Sequence, residues 1–228
     1  MKSALTDFLN LMFPKLCIVC GENLQKQEQQ LCISCLYSIP KTNYHLVSNN
    51  PIERRFWGKV PIQRGTAFFY FHKGSPFQKI LHSLKYRNNQ DIGELLGKYA
   101  AVELLDSVDF TSIDVIIPVP LHPKRYKSRG YNQSECIGKG LAKILEKPID
   151  TTNLIRIREN TTQTKKTVYE RYENTEGLFI LQNQNMLTGK HVLLIDDVLT
   201  TGSTLEACVR ALIEVEGIKV SIFTLAVA

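Results

Sequence analysis

Short apolar runs alternate with helix-like segments along most of the chain beyond residue 60. Strand-like runs cover residues 67–72, 113–117, 178–181, 192–195 and 220–227. Apolar residues recur at helical spacing over residues 76–86, 92–105, 138–145 and 205–215. Near-continuous aliphatic strands that alternate with helices are typical of a parallel sheet covered on both faces. The pattern therefore predicts an α/β domain over residues 61–228.

The first 40 residues have a different pattern. Apolar residues at positions 4, 5, 8, 9 and 12 predict a short amphipathic helix that ends before Pro14. The segment that follows is rich in glutamine and weakly apolar, so it cannot form a core unaided. We expect a small module over residues 1–40, and a polar linker over residues 41–60 that joins it to the main domain.

Four cysteines of this module form two C-x-x-C pairs, Cys17 with Cys20 and Cys32 with Cys35. Two such pairs supply the four thiolates of a closed tetrahedral zinc site, so we expect a structural Zn²⁺ ion. The alternatives are two disulfides or reduced core thiols. Cys136 and Cys208 lie in helical patterns and are expected to be small core residues.

Composition and charge narrow the class of protein. The chain has 228 residues, of which 43% are hydrophobic and 22% charged, which excludes a collagen or a disordered tail. No long apolar run or cleavage site predicts membrane insertion or export, and we expect a cytoplasmic protein. Residues 121–171 hold 12 Lys and Arg against 5 Asp and Glu, and so account for the net charge of +6. Such a segment suits a phosphate-rich ligand, although a solvated basic surface is the alternative.

The segment 192–204 combines an acidic pair with a hydroxyl-rich loop. A buried strand ends at Asp196 and Asp197, and residues 200–204 read Thr-Thr-Gly-Ser-Thr before a helix at Leu205. Backbone N–H groups of such a loop, together with a helix N-terminus, form a donor site for a phosphate group. The two carboxylates can accept hydrogen bonds from ribose hydroxyls or hold Mg²⁺.

These residues resemble the phosphoribosyl-pyrophosphate (PRPP) motif of the type I phosphoribosyltransferases. A second strand end supports the resemblance, because Pro118-Val119-Pro120 and the basic residues after it would lie beside the phosphate loop. With the four cysteines, nearly the whole chain looks like the ComF family, which couples a cysteine-rich zinc module to a phosphoribosyltransferase domain. The resemblance implies a type I phosphoribosyltransferase fold, a parallel sheet flanked by helices, with a small N-terminal zinc-knuckle module.

The resemblance also implies the roles of particular residues. Asp196 and Asp197 would be catalytic and would orient the ribose of PRPP with Mg²⁺. The set expected to bind PRPP is Asp196, Asp197, Leu199, Thr200, Thr201, Gly202, Ser203 and Thr204. The set expected to bind pyrophosphate is Val119, Pro120, Lys124 and Arg125. A lid over the site would contain Gln163, Lys165, Lys166 and Arg171.

The function implied is displacement of pyrophosphate from PRPP by an acceptor that the sequence does not identify, in a protein linked to natural competence and DNA uptake. The alternative is a non-catalytic protein that binds PRPP and single-stranded DNA or competence import proteins; a homodimer is possible in either case.

Several residues also have ordinary explanations. His122 can cap a turn, Lys165 and Lys166 can be solvated helix charges, and Lys85 can be a cation that favours a helix C-terminus.

Overall fold

A computed structural model describes residues 14–86, 89–157 and 177–228 of the chain. Its strands are β1 (Gly65–Tyr70), β2 (Val115–Pro118), β3 (Leu154–Arg156), β4 (Phe179–Leu181), β5 (His191–Leu199) and β6 (Lys219–Val227). Its α-helices are α1 (Ile33–Tyr37), α2 (Pro51–Arg54), α3 (Gln78–Tyr86), α4 (Gln90–Leu104), α5 (Val108–Thr111), α6 (Pro123–Arg129), α7 (Gln133–Leu145) and α8 (Ser203–Leu212). Short 3₁₀ helices cover Tyr44–Leu46 and Gln184–Leu187.

Four strands form one parallel sheet in the order β1-β6-β5-β2. The central strands are buried and aliphatic, as expected for a sheet that helices cover on both faces. The prediction of a parallel α/β sheet is confirmed. β5 continues past Ile195 to Leu199, so Asp196 and Asp197 lie on the strand itself rather than after it.

One predicted strand lies outside this sheet. The apolar run at residues 178–181 contributes β4, which pairs antiparallel with β3 in a separate two-stranded sheet. Phe179 is buried whereas the next residue, Ile180, is 43% exposed. That alternation belongs to a strand with one covered face, and it explains why this short run is not a central strand.

Alternate residues of the sheet contribute to two apolar cores. Ile116, Leu193 and Phe223 pack with α3, α4 and α7, and apolar residues of the cysteine module join this core. Ile117, Leu194 and Ile222 face the other side and pack with α8 and the two-stranded β3–β4 sheet. The period of two along each strand therefore carries apolar side chains to both layers of helices.

Close backbone packing fixes α7 against α4. A Cβ atom added at Gly97 would meet the carbonyl oxygen of Ile137, and one added at Gly140 would meet that of Glu94, both well inside contact distance. α7 begins at Gln133, five residues before the apolar pattern predicts, because the Asn132 side chain accepts a hydrogen bond from the N–H of Ser134 and caps the helix. The first turn of α7 lies at the carboxyl end of the sheet, where Ser134 contacts Asp196.

Residues 41–60, expected to be a linker, form local structure that packs on the sheet. Ile52 and Phe56 are buried in the core on the α8 side. Asn50 caps α2 and its Nδ2 donates to the carbonyl of Gly65 at 2.8 Å, while Glu53 pairs with Arg64 at 2.8 Å. The domain boundaries at 40 and 60 remain a prediction, but this segment contacts the main domain directly.

Two predictions concern helices and membranes. The amphipathic helix expected before Pro14 lies outside the described residues. Among the helices that the structure does describe, none combines the length and apolar character needed to span a bilayer.

Candidate functional site

The loop after β5 is shaped by glycine and by a buried aromatic ring. Gly202 has φ +86°, in the left-handed region, and a Cβ added there would lie 3.4 Å from the ring of Phe56. α8 starts at the next residue, two positions before the predicted start at Leu205. The exposed hydroxyls of Thr201 and Ser203 lie 3.1 Å apart at the start of the helix. The loop therefore presents hydroxyl and backbone donors at a helix N-terminus, as the sequence predicts.

Arg55, which lies in the segment expected to be a linker, contacts this loop. Its Nη1 donates to the carbonyl of Thr200, and its Nη2 donates to the carbonyl of Ala228 at 3.2 Å. A guanidinium group has a fixed fork of donors, so it can tie two carbonyls together. Arg55 thus links the loop after β5 to the residue that follows β6.

One cavity of about 430 Å³ opens at the carboxyl ends of β2 and β5. Ligands of open parallel sheets bind at this edge. The predicted residues that line the cavity are Asp196, Asp197, Thr200, Thr204, Val119, Pro120 and Arg125. The structure therefore brings parts of the predicted PRPP set and of the predicted pyrophosphate set to the same cavity.

The other predicted residues lie beside the cavity or elsewhere. Leu199 is buried. Thr201, Gly202 and Ser203 lie in the loop between Thr200 and Thr204, which both line the cavity. Lys124 is exposed on α6 and does not contribute to the lining. Gln163, Lys165, Lys166 and Arg171 lie outside the described residues, so the lid remains a prediction.

The two acidic residues differ in their surroundings. Asp196 Oδ1 accepts hydrogen bonds from the Ser134 hydroxyl at 3.1 Å and from the N–H of Asp197 at 2.8 Å. Only a small part of Asp196 reaches the cavity, and desolvation raises its pKa to about 7. The negative charge of Asp197 acts in the same direction, whereas the two hydrogen bonds oppose it.

Asp197 forms an ion pair with Lys85, whose Nζ lies 3.0 Å from Asp197 Oδ2. The side chains are 26% and 14% exposed, so the pair is shielded from bulk water on most sides. Lys85 is in the last turn of α3, where the sequence suggests only an interaction with the helix dipole. The structure instead brings it to the acidic pair.

Positive charge predominates on the rest of the cavity lining. Lys85, Arg125, Arg129 and Arg156 line the cavity, against two carboxylates. Arg129 lies with its Cζ 5.9 Å from the ring centroid of Tyr86, and its Nη1 donates to Gln133 Oε1 at 2.6 Å. The cavity is therefore suited to a ligand with several negative charges.

His122 lies at the entrance to α6 and caps that helix. Its Nδ1 accepts a hydrogen bond from the N–H of Lys124 at 3.3 Å. His122 therefore acts as a cap, which is one of the two roles that the sequence allows. It does not line the cavity.

The four cysteines of the N-terminal module come together in space. The sulfur atoms of Cys17, Cys20, Cys32 and Cys35 all lie within 4.8 Å of one another. Burial opposes ionisation of Cys17, but N–H groups of Cys20, Cys32 and Val19 outweigh it and lower the Cys17 pKa to about 6. Four sulfur ligands match the donor set of a structural zinc site, so this cluster could hold Zn²⁺.

The remaining cysteines do not contribute to this cluster. Cys136 and Cys208 are buried in helices, and burial raises the pKa of each thiol. Both are therefore held as neutral core residues, as the helical pattern predicts.

Comparison with known proteins identifies the class. Residues 131–227, which include α7, β5, the acidic pair and the loop, match the family model of the phosphoribosyl transferase domain. With the parallel sheet and the cavity at its carboxyl edge, this defines a type I phosphoribosyltransferase domain, preceded by a four-cysteine cluster.

The chain is also similar to proteins whose names refer to DNA utilization and competence. The chain is 29% identical over 201 residues to DNA utilization protein YhgH of Shigella flexneri, a match that covers 87% of this chain and 84% of the relative. It is 28% identical over 198 residues to Competence protein F of Haemophilus influenzae, covering 83% and 86%. The predicted resemblance to the ComF proteins is confirmed by these relatives.

Solved structures give a more distant match. A hypoxanthine phosphoribosyltransferase from Staphylococcus aureus is 19% identical, with a TM-score of 0.38, and the match covers 59% of this chain and 62% of that one.

Several residues of the site do not follow from the sequence motifs. The lining residues outside the predicted sets include Lys85, Ser134 and Arg156, whereas Arg129 and Gln133 belong to the basic string after Pro120 on which the resemblance rests. Arg55 and Phe56 support the loop from outside the cavity. Gln133 and Ser134 carry one usable signal, because they follow the helix cap Asn132 directly after the basic segment.

Proposed function

We propose that this protein binds PRPP and transfers its phosphoribosyl group to an acceptor, with release of pyrophosphate. One observation carries the proposal: a single cavity joins the acidic pair, both ends of the phosphate loop and the basic residues after β2. Each part matches one part of PRPP, namely the ribose hydroxyls, the 5′-phosphate and the diphosphate. The relatives' names connect the same domain with competence and DNA utilization.

The phosphate loop anchors the 5′-phosphate in this proposal. Backbone N–H groups at Thr200–Thr204 and the N-terminus of α8 donate to its oxygens, and the loop hydroxyls add further donors. Arg55 holds the Thr200 carbonyl and so keeps the loop in place. Binding energy far from the reacting carbon then fixes the position of that carbon.

The acidic pair orients the ribose. Asp196 and Asp197 accept hydrogen bonds from its hydroxyls, and their negative charge stabilises the cationic character that develops on the ring as the bond to the diphosphate breaks. Ser134 holds Asp196 Oδ1, which fixes the carboxyl for this role. Lys85 pairs with Asp197, and ribose or a metal ion must compete with it for that carboxylate.

The basic side of the cavity accepts the leaving group. Arg125 stabilises the negative charge that grows on the diphosphate oxygens, and the lid predicted around Arg171 excludes water that would hydrolyse PRPP. The carboxylates of Asp196 and Asp197 are the oxygen ligands that Mg²⁺ prefers, so they could hold Mg²⁺ with PRPP. That ion would supply charge neutralisation of the diphosphate.

Calorimetric titration of PRPP tests this function. We expect saturable binding that depends on Mg²⁺ and that is lost in Asp197→Asn, because the charge that holds ribose and metal is removed while the side-chain volume is kept. Asp114→Asn is the matched control, since Asp114 caps the opposite end of β5 through the N–H of His191. Pyrophosphate release with candidate acceptors would then identify the acceptor.

Two results would contradict the proposal. The first is an absence of heat with millimolar PRPP and Mg²⁺. The second is equal PRPP affinity for wild type and Asp197→Asn, since the acidic pair would then have no part in binding.

Single-stranded DNA binding is a second candidate function, and a surface feature favours it. Trp57 is 58% exposed, and the Arg54 guanidinium lies 5.9 Å from its ring centroid. Exposed aromatic rings beside cations stack on bases of single strands. Titration of a fluorescent oligonucleotide with wild type and Trp57→Ala, at several salt concentrations, tests it. A steep salt dependence and weaker binding by the variant are expected, and equal binding would exclude this surface.

A further inference from the structure

The start of α3 is hydrogen-bonded to the cysteine module. Lys79, the second residue of the helix, donates from Nζ to the carbonyl of Val19 at 2.7 Å. Val19 is buried and lies between the two cysteines of the first knuckle, where its N–H stabilises the thiolate of Cys17. One short backbone segment therefore connects the sulfur cluster with the first turn of α3.

A second link lies just beyond the end of α3. Asn89 Nδ2 donates to Gln30 Oε1 of the module at 2.8 Å and to the Ser83 hydroxyl of α3 at 3.3 Å. The Gln30 carbonyl in turn accepts from the N–H of Ile18, which belongs to the first knuckle. The module therefore contacts α3 at its start and, through Asn89, near its end.

Apolar packing lies between these two links. Val19 and Leu31 of the module belong to the same buried core as Ile80, Leu81 and Leu84 of α3. Close-packed aliphatic side chains oppose sliding or rotation of a short helix, because each displaced side chain would leave a gap. The module thus supplies part of the surface against which α3 packs.

The last turn of α3 carries the ion pair with the acidic residues. Lys85 lies about 9 Å along the helix axis from Lys79, and its Nζ is 3.0 Å from Asp197 Oδ2. Because a helix turns by about 100° per residue, the two lysines lie on different faces, one toward the module and the other toward the cavity. Movement of α3 would therefore separate Lys85 from Asp197.

We propose that the cysteine module positions Lys85 at Asp197 by holding α3 at both ends, so that zinc binding by the four cysteines and formation of the Lys85–Asp197 ion pair favour each other. Lys79 and Gln30 are the positioning residues. A closed zinc site orders the loops that supply its ligands, and so fixes the Val19 carbonyl to which Lys79 donates.

Coupling of this kind acts in both directions. Zinc strengthens the ion pair by the same factor by which the ion pair strengthens zinc binding. The inference goes beyond the proposed function, and it does not require that the cavity binds PRPP.

Acetylation of lysines measures the position of Lys85. The full-length protein, loaded with zinc, is treated with a limiting amount of an acetyl succinimidyl ester, and peptide mass spectrometry gives the rate at each lysine. Lys85 should react slowly in the wild type, because it is paired and only 26% exposed. It should react about fivefold faster after chelation of zinc, and also in zinc-loaded Lys79→Met and Gln30→Ala. Lys79→Arg keeps a donor and should restore the slow rate.

Two controls separate this link from general loosening of the domain. Lys98→Met is the matched variant, because Lys98 lies beside the module but pairs with Glu94 of its own helix. It should leave Lys85 as slow as in the wild type. The rate at Lys139, which pairs with Glu135 within α7, should stay the same in every protein and after chelation.

Zinc affinity tests the coupling from the opposite end. Competition with a chromophoric chelator is measured for wild type, Asp197→Asn and Asp114→Asn. Asp197→Asn leaves Lys85 without its charged partner and should bind zinc about fivefold more weakly, although Asp197 lies outside the module. Asp114→Asn changes a carboxylate at the other end of β5 and should match the wild type.

Four results would overturn the coupling. They are a wild type that holds no zinc, equal Lys85 rates with and without zinc, wild-type rates in both Lys79→Met and Gln30→Ala, and wild-type zinc affinity in Asp197→Asn. A rise at Lys139 as large as that at Lys85 would show general loosening and would also contradict a specific role of α3. Failure of PRPP to bind would overturn the proposed function alone, because neither measurement uses PRPP.

Discussion

Replacing Asp196 by Asn should stabilise the protein while abolishing PRPP binding. Desolvation, assisted by the charge of Asp197, raises the Asp196 pKa from 3.8 to about 7 in the folded state. Asparagine keeps an oxygen that can accept from Ser134 and from the N–H of Asp197, but it carries no charge to desolvate. Lys85 retains its partner Asp197 in the variant.

The sign and size of the effect follow from the two pKa values. A carboxyl whose pKa is raised on folding binds more protons in the native state, so the native protein loses stability as pH rises from about 4 to about 7. The full difference corresponds to about 4 kcal/mol above pH 7. Because Asp196 keeps some contact with the cavity, we expect Asp196→Asn to be more stable by about 2–4 kcal/mol at pH 8.

Urea unfolding of wild type and variant between pH 5 and pH 8 measures this difference. The gain in the free energy of unfolding should be smaller at pH 5 than at pH 8 by about 2 kcal/mol. Asp91→Asn is the control, since Asp91 is exposed on α4 and its removal relieves no desolvation. A variant that is no more stable than wild type at pH 8, or a gain that is independent of pH, would refute the reasoning.

Three further predictions concern other parts of the structure. Lys85→Met leaves Asp197 without its cation and should lower the free energy of unfolding by about 1–2 kcal/mol in urea titrations; unchanged stability would contradict the ion pair. In thermal unfolding scans, Gly97→Ala should destabilise the protein by about 1–3 kcal/mol or prevent folding, because the new Cβ meets the α7 backbone. The control Val102→Ala, on the exposed face of α4, should have little effect in the same scans. Native mass spectrometry should detect one zinc ion per chain, which is lost in Cys35→Ser and on chelation. The protein without zinc should have a lower unfolding temperature. Zinc retained by Cys35→Ser would exclude the cysteine cluster as its site.

The geometry of the loop at residues 200–204 could be predicted from the sequence because the residues that shape it are close together in the chain. Asp196, Asp197 and the hydroxyl residues up to Thr204 lie within nine positions, so one strand, one turn and one helix start determine their arrangement. The cysteine pairs are local in the same way, and the two knuckles only have to meet. Residue type and spacing therefore carried most of the information for both sites.

The supporting residues could not be predicted because their partners are distant in the sequence. Arg55 reaches the carbonyl of Thr200 across 145 positions, and no motif marks that contact. Lys85 has an ordinary explanation at the end of α3, and only the packing of that helix over the sheet brings it to Asp197. The segment at residues 41–60 is polar on average, yet Ile52 and Phe56 are buried in the core.

The strand boundaries show a related limit of pattern analysis. β5 extends over Asp196 and Asp197 because their backbones continue the parallel pairing with β6, whatever their side chains. The apolar run at Phe179–Leu181 looks like a buried strand, but it pairs with β3, where Ile180 is opposite Ile155, a residue 25 positions earlier in the sequence. Hydrophobic pattern identifies strands more readily than it identifies the sheet to which each belongs.

Phosphorus NMR of PRPP with increasing amounts of wild-type protein and Mg²⁺ tests the central claim most directly, because the 5′-phosphate and the diphosphate give separate signals. If one cavity holds both ends of PRPP, all of these signals should broaden or shift together, and excess inorganic pyrophosphate, which displaces PRPP, should reverse the change at all of them. Signals that stay unchanged at protein concentrations equal to that of PRPP would contradict the assignment of this cavity as a PRPP site.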